Sequence, residues 1–221
     1  MSEFTAACVQ INASNDLDEN IATLGRMIRE ARAGGADFIT TPECAAMIEV
    51  GRENIRAKAF TEDAHPALDA FRGWAVETGA WLLAGSLSVL VEGEERLANR
   101  QYLIDPAGNI AASYDKIHMF DVDLPNGKSL RESNNYRPGK DAFVTPLPWC
   151  QLGLSICYDL RFPHLYRDLA KAGADVLVIP SAFMQVTGEA HWHVLMRARA
   201  IETGCYVIAA AQCGEHVAGR L

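Results

Sequence analysis

"FTAACVQINASNDLDENIATLGRMIREARAGGADFITTPE", residues 4–43, reads as a strand, a helix and a second strand in direct succession. "FTAACVQI" is short, apolar and β-prone. In the segment after it, Leu17, Ile21, Leu24, Ile28 and Ala31 are spaced four, three, four and three apart, the repeat of one helical face. Asn15 or Asp16 can cap its start, and the glycines at 34 and 35 stop it. "DFITTPE" is then the second strand. A β-α-β unit lays its strands side by side in parallel under a covering helix, so this stretch predicts a layered α/β fold.

The alternation continues outward from that unit. A second helix is expected from Asp63 to Thr78, with Pro66 in its first turn and Leu68, Phe71, Ala75 and Val76 facing inward. "WLLAGSLSVLV" is a strand and "EGEE" a turn; "NRQYLID" and "IAASYDK" are strands joined by the turn "PAGN". Residues 117–140 are polar and carry little periodicity, and a loop of that length in a compact domain is usually functional or disordered. Past it come the strand "CQLGLSI", the helix "FPHLYRDLAKAG", the buried strand "ADVLVIP", the helix "EAHWHVLMRARAIETG" and the strand "CYVIAAAQC". No linker, repeat or low-complexity run interrupts the series, so residues 1–221 are read as one domain.

Composition narrows the classes. A chain of 221 residues can bury a full core. Its net charge of −8 disfavours nucleic acid and anionic membrane as partners, since both attract basic surfaces. No apolar stretch is long enough to span a bilayer, and the N-terminal residues do not read as a secretory leader. Cysteines 8, 44, 150, 157, 205 and 213 form no C-x-x-C pair and no regular framework, which fits reduced thiols in the cytoplasm.

Glu43, Lys116 and Cys157 each fall at or just past the C-terminal end of an expected strand, the edge where layered α/β folds bind ligands. Together they would supply a nucleophile, its base and a cation. A cysteine is only slightly ionised at neutral pH and needs such help. Glu43 can take the thiol proton. Lys116 and the backbone N–H of Tyr158, at the strand-to-helix turn, can hold the oxyanion of a tetrahedral intermediate. Spacing alone leaves the alternative open: a buried structural thiol with two solvated surface charges.

Longer blocks go further. "TTPECA", "SYDKIHMFDVDLPNG", "LRESN", "LGLSICYDLRFPHLYRDLAKAGADVLVIPSAF" and "TGEAHWHVLMRARAIETGCYVIAAAQCG" resemble, in order and over nearly the whole chain, the signature blocks of the nitrilase (carbon–nitrogen hydrolase) superfamily. The resemblance implies an α-β-β-α four-layer sandwich, members of which pair through their helical faces. It implies a Glu–Lys–Cys triad at Glu43, Lys116 and Cys157, with a second glutamate at Glu132 that supports the lysine and orients substrate. Family members continue for several tens of residues with further strands, so this chain is expected to lack the family's C-terminal part.

Within the superfamily the blocks look closest to the deaminated glutathione amidase branch, with omega-amidase, acting on α-ketoglutaramate, as the runner-up. Either implies hydrolysis of an α-keto acid amide through a cysteine thioester, a metabolite-repair reaction in the first case. The non-enzyme alternative is an inactive truncated fragment or a binding module. Both amides carry carboxylates, so Arg161 is expected to bind one through paired hydrogen bonds, or else to sit in an ion pair with Asp159 or Glu132. Phe183 and Thr187 are candidates to line the acyl side of the pocket. His191 and His193 project about 200° apart on a helix and no metal is expected there; Trp192 is expected to pack. His118 is given no task. The reaction calls for no cofactor; the expected partners are a small-molecule substrate and a second copy of the chain.

Overall fold

The computed structural model describes residues 3–123, 127 and 129–217. In chain order the elements are β1 (Ala6–Cys8), α1 (Leu17–Ala33), β2 (Phe38–Thr40), α2 (Arg52–Ala57), β3 (Phe60–Thr61), α3 (Pro66–Thr78), β4 (Trp81–Leu90), β5 (Ala98–Ile104) and β6 (Ile110–Asp115). There follow β7 (Asp121–Asp123), β8 (Ser129–Arg131), β9 (Val144–Pro146), β10 (Gln151–Leu154), α4 (Pro163–Lys171), β11 (Val176–Val178), α5 (Gln185–Thr203) and β12 (Tyr206–Ile208).

Two sheets organise these elements. The first runs β1-β2-β4-β5-β6, with β3 beside β4; β1, β2 and β4 are parallel, and β5 and β6 return antiparallel. The second runs β12-β11-β10-β9, parallel except at β9. A small hairpin, β7-β8, stands apart from both.

Strand alternation builds the layers. In the first sheet Ile39, Leu82, Tyr102 and Ile104 face Leu24 and Ile28 of α1 and Phe71 and Trp74 of α3. Their neighbours Phe38, Leu83 and Leu103 point the other way, onto Leu152, Leu154, Val176 and Val178 of the second sheet. The opposite face of that sheet, with Leu177 and Ile179, packs against Leu165 and Leu169 of α4 and Trp192, Leu195 and Met196 of α5. The order is helices, sheet, sheet, helices, the four-layer sandwich that the sequence blocks imply.

Local chemistry explains the helix ends. Asp16 is the N-cap of α1, its carboxylate accepting from the Glu19 amide at 3.0 Å, so the cap is Asp16 and not Asn15. Gly34 closes the helix. Three expectations need correction. The second helix starts at Pro66, after a separate 3-10 turn over Glu62–Ala64. Val76 does not face inward but is 59% exposed; Trp74 takes the buried position, against Phe71. The polar segment 117–140 is not a plain loop: its described residues hold β7, β8 and a 3-10 turn over Glu132–Asn134. No helix among the described residues is long and apolar enough to cross a membrane.

Candidate active site

Glu43, Lys116 and Cys157 meet between the two sheets. Thr41 and Pro42 lead from β2 to Glu43, Lys116 follows β6 directly, and Cys157 follows β10 by two residues. All three are buried. The Lys116 Nζ donates to Glu43 Oε1 at 2.8 Å and to both oxygens of Glu132, at 3.0 and 2.9 Å. The Cys157 thiol is close enough to feel the charges of both Glu43 and Lys116. The structure thus brings together all four side chains that the sequence singles out.

The backbone makes the cysteine prominent. Cys157 has φ of +47°, a left-handed conformation that a residue with a Cβ adopts only when its surroundings enforce it. Its N–H is held by the Pro180 carbonyl at 2.9 Å, tying it to the end of β11. Residues Cys157–Arg161 form a 3-10 turn before Pro163 opens α4. The chain therefore turns sharply from strand to helix at the thiol, with the Tyr158 amide next in line.

Electrostatics divide the site in two. Burial alone would push Lys116 down, but the charges of Glu132 and Glu43 outweigh it and hold the ammonium well above the usual lysine range. Burial, and then the Glu43 charge, push the Cys157 thiol well above its ordinary value, against the opposing pull of Lys116. The site thus holds a neutral thiol beside Glu43 and a lysine ammonium. Such a site makes its thiolate only when the carboxylate accepts the proton.

Several supporting groups carry no spacing signal in the sequence. The Asn99 Nδ2 donates to Glu43 Oε1 at 3.0 Å and Glu132 Oε1 at 3.3 Å, bridging the two carboxylates. The Ala182 amide donates to Glu43 Oε2 at 2.8 Å, and the Phe120 amide to Glu132 Oε2 at 2.6 Å. Gln212 donates through Nε2 to the Glu43 and Cys44 carbonyls at 3.0 and 3.3 Å.

A cavity of about 450 Å³ opens onto these groups. Phe183 and Thr187 line it, with Met47, Phe120, Arg131, Tyr136 and Tyr158. Arg161 is not among the lining residues. Its guanidinium lies over the rings of Tyr158 and Phe183, 5.8 and 5.3 Å from their centres, and its Nη1 donates to His191 Nδ1 at 3.1 Å. It makes neither expected ion pair, because Asp159 accepts from Tyr114, Ile156 and His118, and Glu132 from Lys116. Trp192 packs edge-on against Phe183.

Comparison with known proteins agrees with this picture. The carbon-nitrogen hydrolase family model matches residues 5–221. Deaminated glutathione amidase of Yersinia enterocolitica is 37% identical over the whole of this chain, which spans 77% of that protein. The enzyme of that name from Bos taurus is 40% identical over 95% of this chain and 65% of its own length. The crystal structure of the C. elegans NitFhit protein superposes with a TM-score of 0.89 at 35% identity, over 98% of this chain and 53% of that one.

Proposed function

The chain belongs to the carbon–nitrogen hydrolase family, and we propose that it is an amidase in which Cys157, Glu43, Lys116 and Glu132 cut a linear amide bond through a thioester. One observation carries the reading: a buried thiol shares an open cavity with a carboxylate that takes a lysine ammonium at 2.8 Å.

Glu43 accepts the Cys157 proton as sulfur attacks the amide carbonyl. The oxyanion is held by the Lys116 ammonium and the Tyr158 N–H. As the tetrahedral intermediate collapses, the C–N bond breaks and Glu43 returns the proton to the departing nitrogen. A water molecule, deprotonated by Glu43, then attacks the thioester; the acid leaves and the thiol is restored. Glu132 holds Lys116 in place through both of its oxygens. No step calls for a cofactor.

The substrate is an α-keto acid amide, with deaminated glutathione first. Its curated relatives of that name support this choice, as does a cavity within the range of small-ligand sites. Arg161, whose guanidinium lies against two lining rings and takes no carboxylate of the described chain, offers a cation for a substrate carboxylate. Phe183 and Thr187 shape the acyl side. The protein works in the cytoplasm, in keeping with six cysteines in no disulfide. It pairs as a homodimer through its helical layer, where α5 leaves Val186, Val194 and Ile201 exposed.

Intact-protein mass spectrometry with deaminated glutathione, α-ketoglutaramate and an aliphatic nitrile tests the proposal. Hydrolysis of the first, with an acyl adduct on Cys157 that Cys157→Ala abolishes, is the expected result. Preference for α-ketoglutaramate would replace the substrate with that of an omega-amidase. No turnover and no adduct with any of them would overturn the amidase reading.

A further inference from the structure

We propose that Asp159 and His118 form a positioning clamp that fixes the lysine strand to the cysteine turn, setting the geometry on which the proposed amidase reaction rests. Asp159 is fully buried, and its carboxylate faces the His118 ring. Its Oδ2 accepts from the Ile156 amide at 2.9 Å and the Tyr114 hydroxyl at 2.7 Å. Its Oδ1 accepts from the His118 amide at 3.0 Å and faces His118 Nδ1 at 2.7 Å. Since a carboxylate only accepts, Nδ1 carries the proton in this contact.

The placement of those donors gives the clamp its meaning. Tyr114 and His118 flank Lys116, two residues away on either side, and Ile156 directly precedes Cys157. One carboxylate therefore grips both sides of the lysine and the backbone just ahead of the nucleophile. The grip extends toward the second glutamate. The His118 ring stacks on Phe162 at 3.6 Å and 10°, Phe162 meets Tyr158 edge-on, and Tyr158 meets Phe120. Phe120 is the residue whose amide holds Glu132. A buried carboxylate that accepts four hydrogen bonds is costly to leave unpaired, so the donors cannot drift independently.

The clamp touches neither substrate nor reacting atoms, so it acts on the chemical step and not on binding. Two substitutions separate its hydrogen bond from its ring. In His118→Asn the side-chain amide can still donate to Asp159 but the stack is lost; in His118→Phe the ring stays and the bond is lost. His118→Phe should lower kcat at least about tenfold with KM unchanged, while His118→Asn keeps at least about a third of kcat. The second-order rate of Cys157 alkylation by iodoacetamide, followed by mass spectrometry, should fall in His118→Phe alongside kcat. Leu177→Ala, which destabilises the second sheet away from the site, should lower Tm and leave both rates unchanged.

Tyr114→Phe removes the other end of the clamp, and a loss of about threefold to tenfold is expected in both rates should His118→Phe not fold. Wild-type kcat and alkylation in both His118→Phe and Tyr114→Phe would overturn the clamp, as would a Leu177→Ala enzyme that loses kcat as they do. Because alkylation needs no amide, it also separates the two proposals. Slowed alkylation in the variants of a protein that turns over no amide would keep the clamp and remove the substrate assignment.

Discussion

The first sheet delivers its charged groups to the site already paired, whereas the second delivers a single neutral thiol on a strained residue. Buried Glu43 and Lys116 form one network with the half-buried Glu132, which follows the β7-β8 hairpin, and Asn99 bridges its two carboxylates. Cys157 sits at φ +47°, a left-handed conformation shared by Cys44 beside Glu43, and its thiol is pushed up by burial and by Glu43. The difference divides the labour. A network of three charges keeps its own arrangement, and the thiol becomes reactive only by passing a proton into it.

Breaking the proton path should have the largest effect. Glu43→Gln keeps the shape but removes the acceptor, and kcat should fall by roughly 10³-fold. The same change removes a charge that pushes the thiol up and leaves Lys116, which pulls it down. The pH of half-maximal Cys157 alkylation should therefore move downward as turnover is lost. If turnover and the alkylation midpoint both stayed at their wild-type values, the carboxylate would not be the base.

The next comparison sets backbone against side chain. Gly85 lies where β4 shifts register against β5, and a Cβ there would overlap the Thr41 and Pro42 carbonyls just ahead of Glu43. Gly153 of β10 would meet the flexible end of the Leu177 side chain at 2.9 Å. Gly85→Ala should cost about 3 kcal/mol or more and most of the activity, while Gly153→Ala should cost about 1–2 kcal/mol and spare kcat. Urea midpoints and kcat for both variants check this; equal losses would mean that the two sheets support the site alike.

These particulars also show what a sequence can reveal. The period of α1 follows from a helix with one buried face, so Leu24 and Ile28 were legible. Strand ends marked Glu43, Lys116 and Cys157 only as candidates, with a structural thiol and two surface charges as the alternative; the blocks that resemble a family pattern singled them out, and Glu132 with them. Asn99 was not, since a polar residue early in a strand has no periodic mark and its partners lie 56 and 33 residues away. Gln212 was hidden for the same reason, reaching Glu43 across 169 residues. Val76 went wrong because an apolar side chain near a helix end fits an inward face as easily as an exposed one, and Trp74 claimed the space. Arg161 was read through charge, and its aromatic neighbours were visible only in space.

The smallest effect on the site itself concerns the support behind the first sheet. His65, at the start of α3, is 4% exposed, its Nδ1 has no hydrogen-bond partner among the described residues, and it lines a small cavity with Ser86 and Ser88 of β4. Burial pushes its imidazole down to about 4 from 6.5. Between those values the unfolded chain binds the proton more readily than the folded one, so stability rises with pH across the window. The contribution is complete above about 6.5 and is lost as pH falls toward 4. At pH 4.5 about 2 to 3 kcal/mol should be missing relative to pH 7.5. A His65→Gln variant keeps a polar side chain that does not titrate, so it should lose that much less over the same interval in urea denaturation. Equal pH dependence in the two proteins would mean that His65 takes its proton alike folded and unfolded. The first sheet would then owe its acid sensitivity to its carboxylates, bringing the charged side of the site back as the weaker of the two.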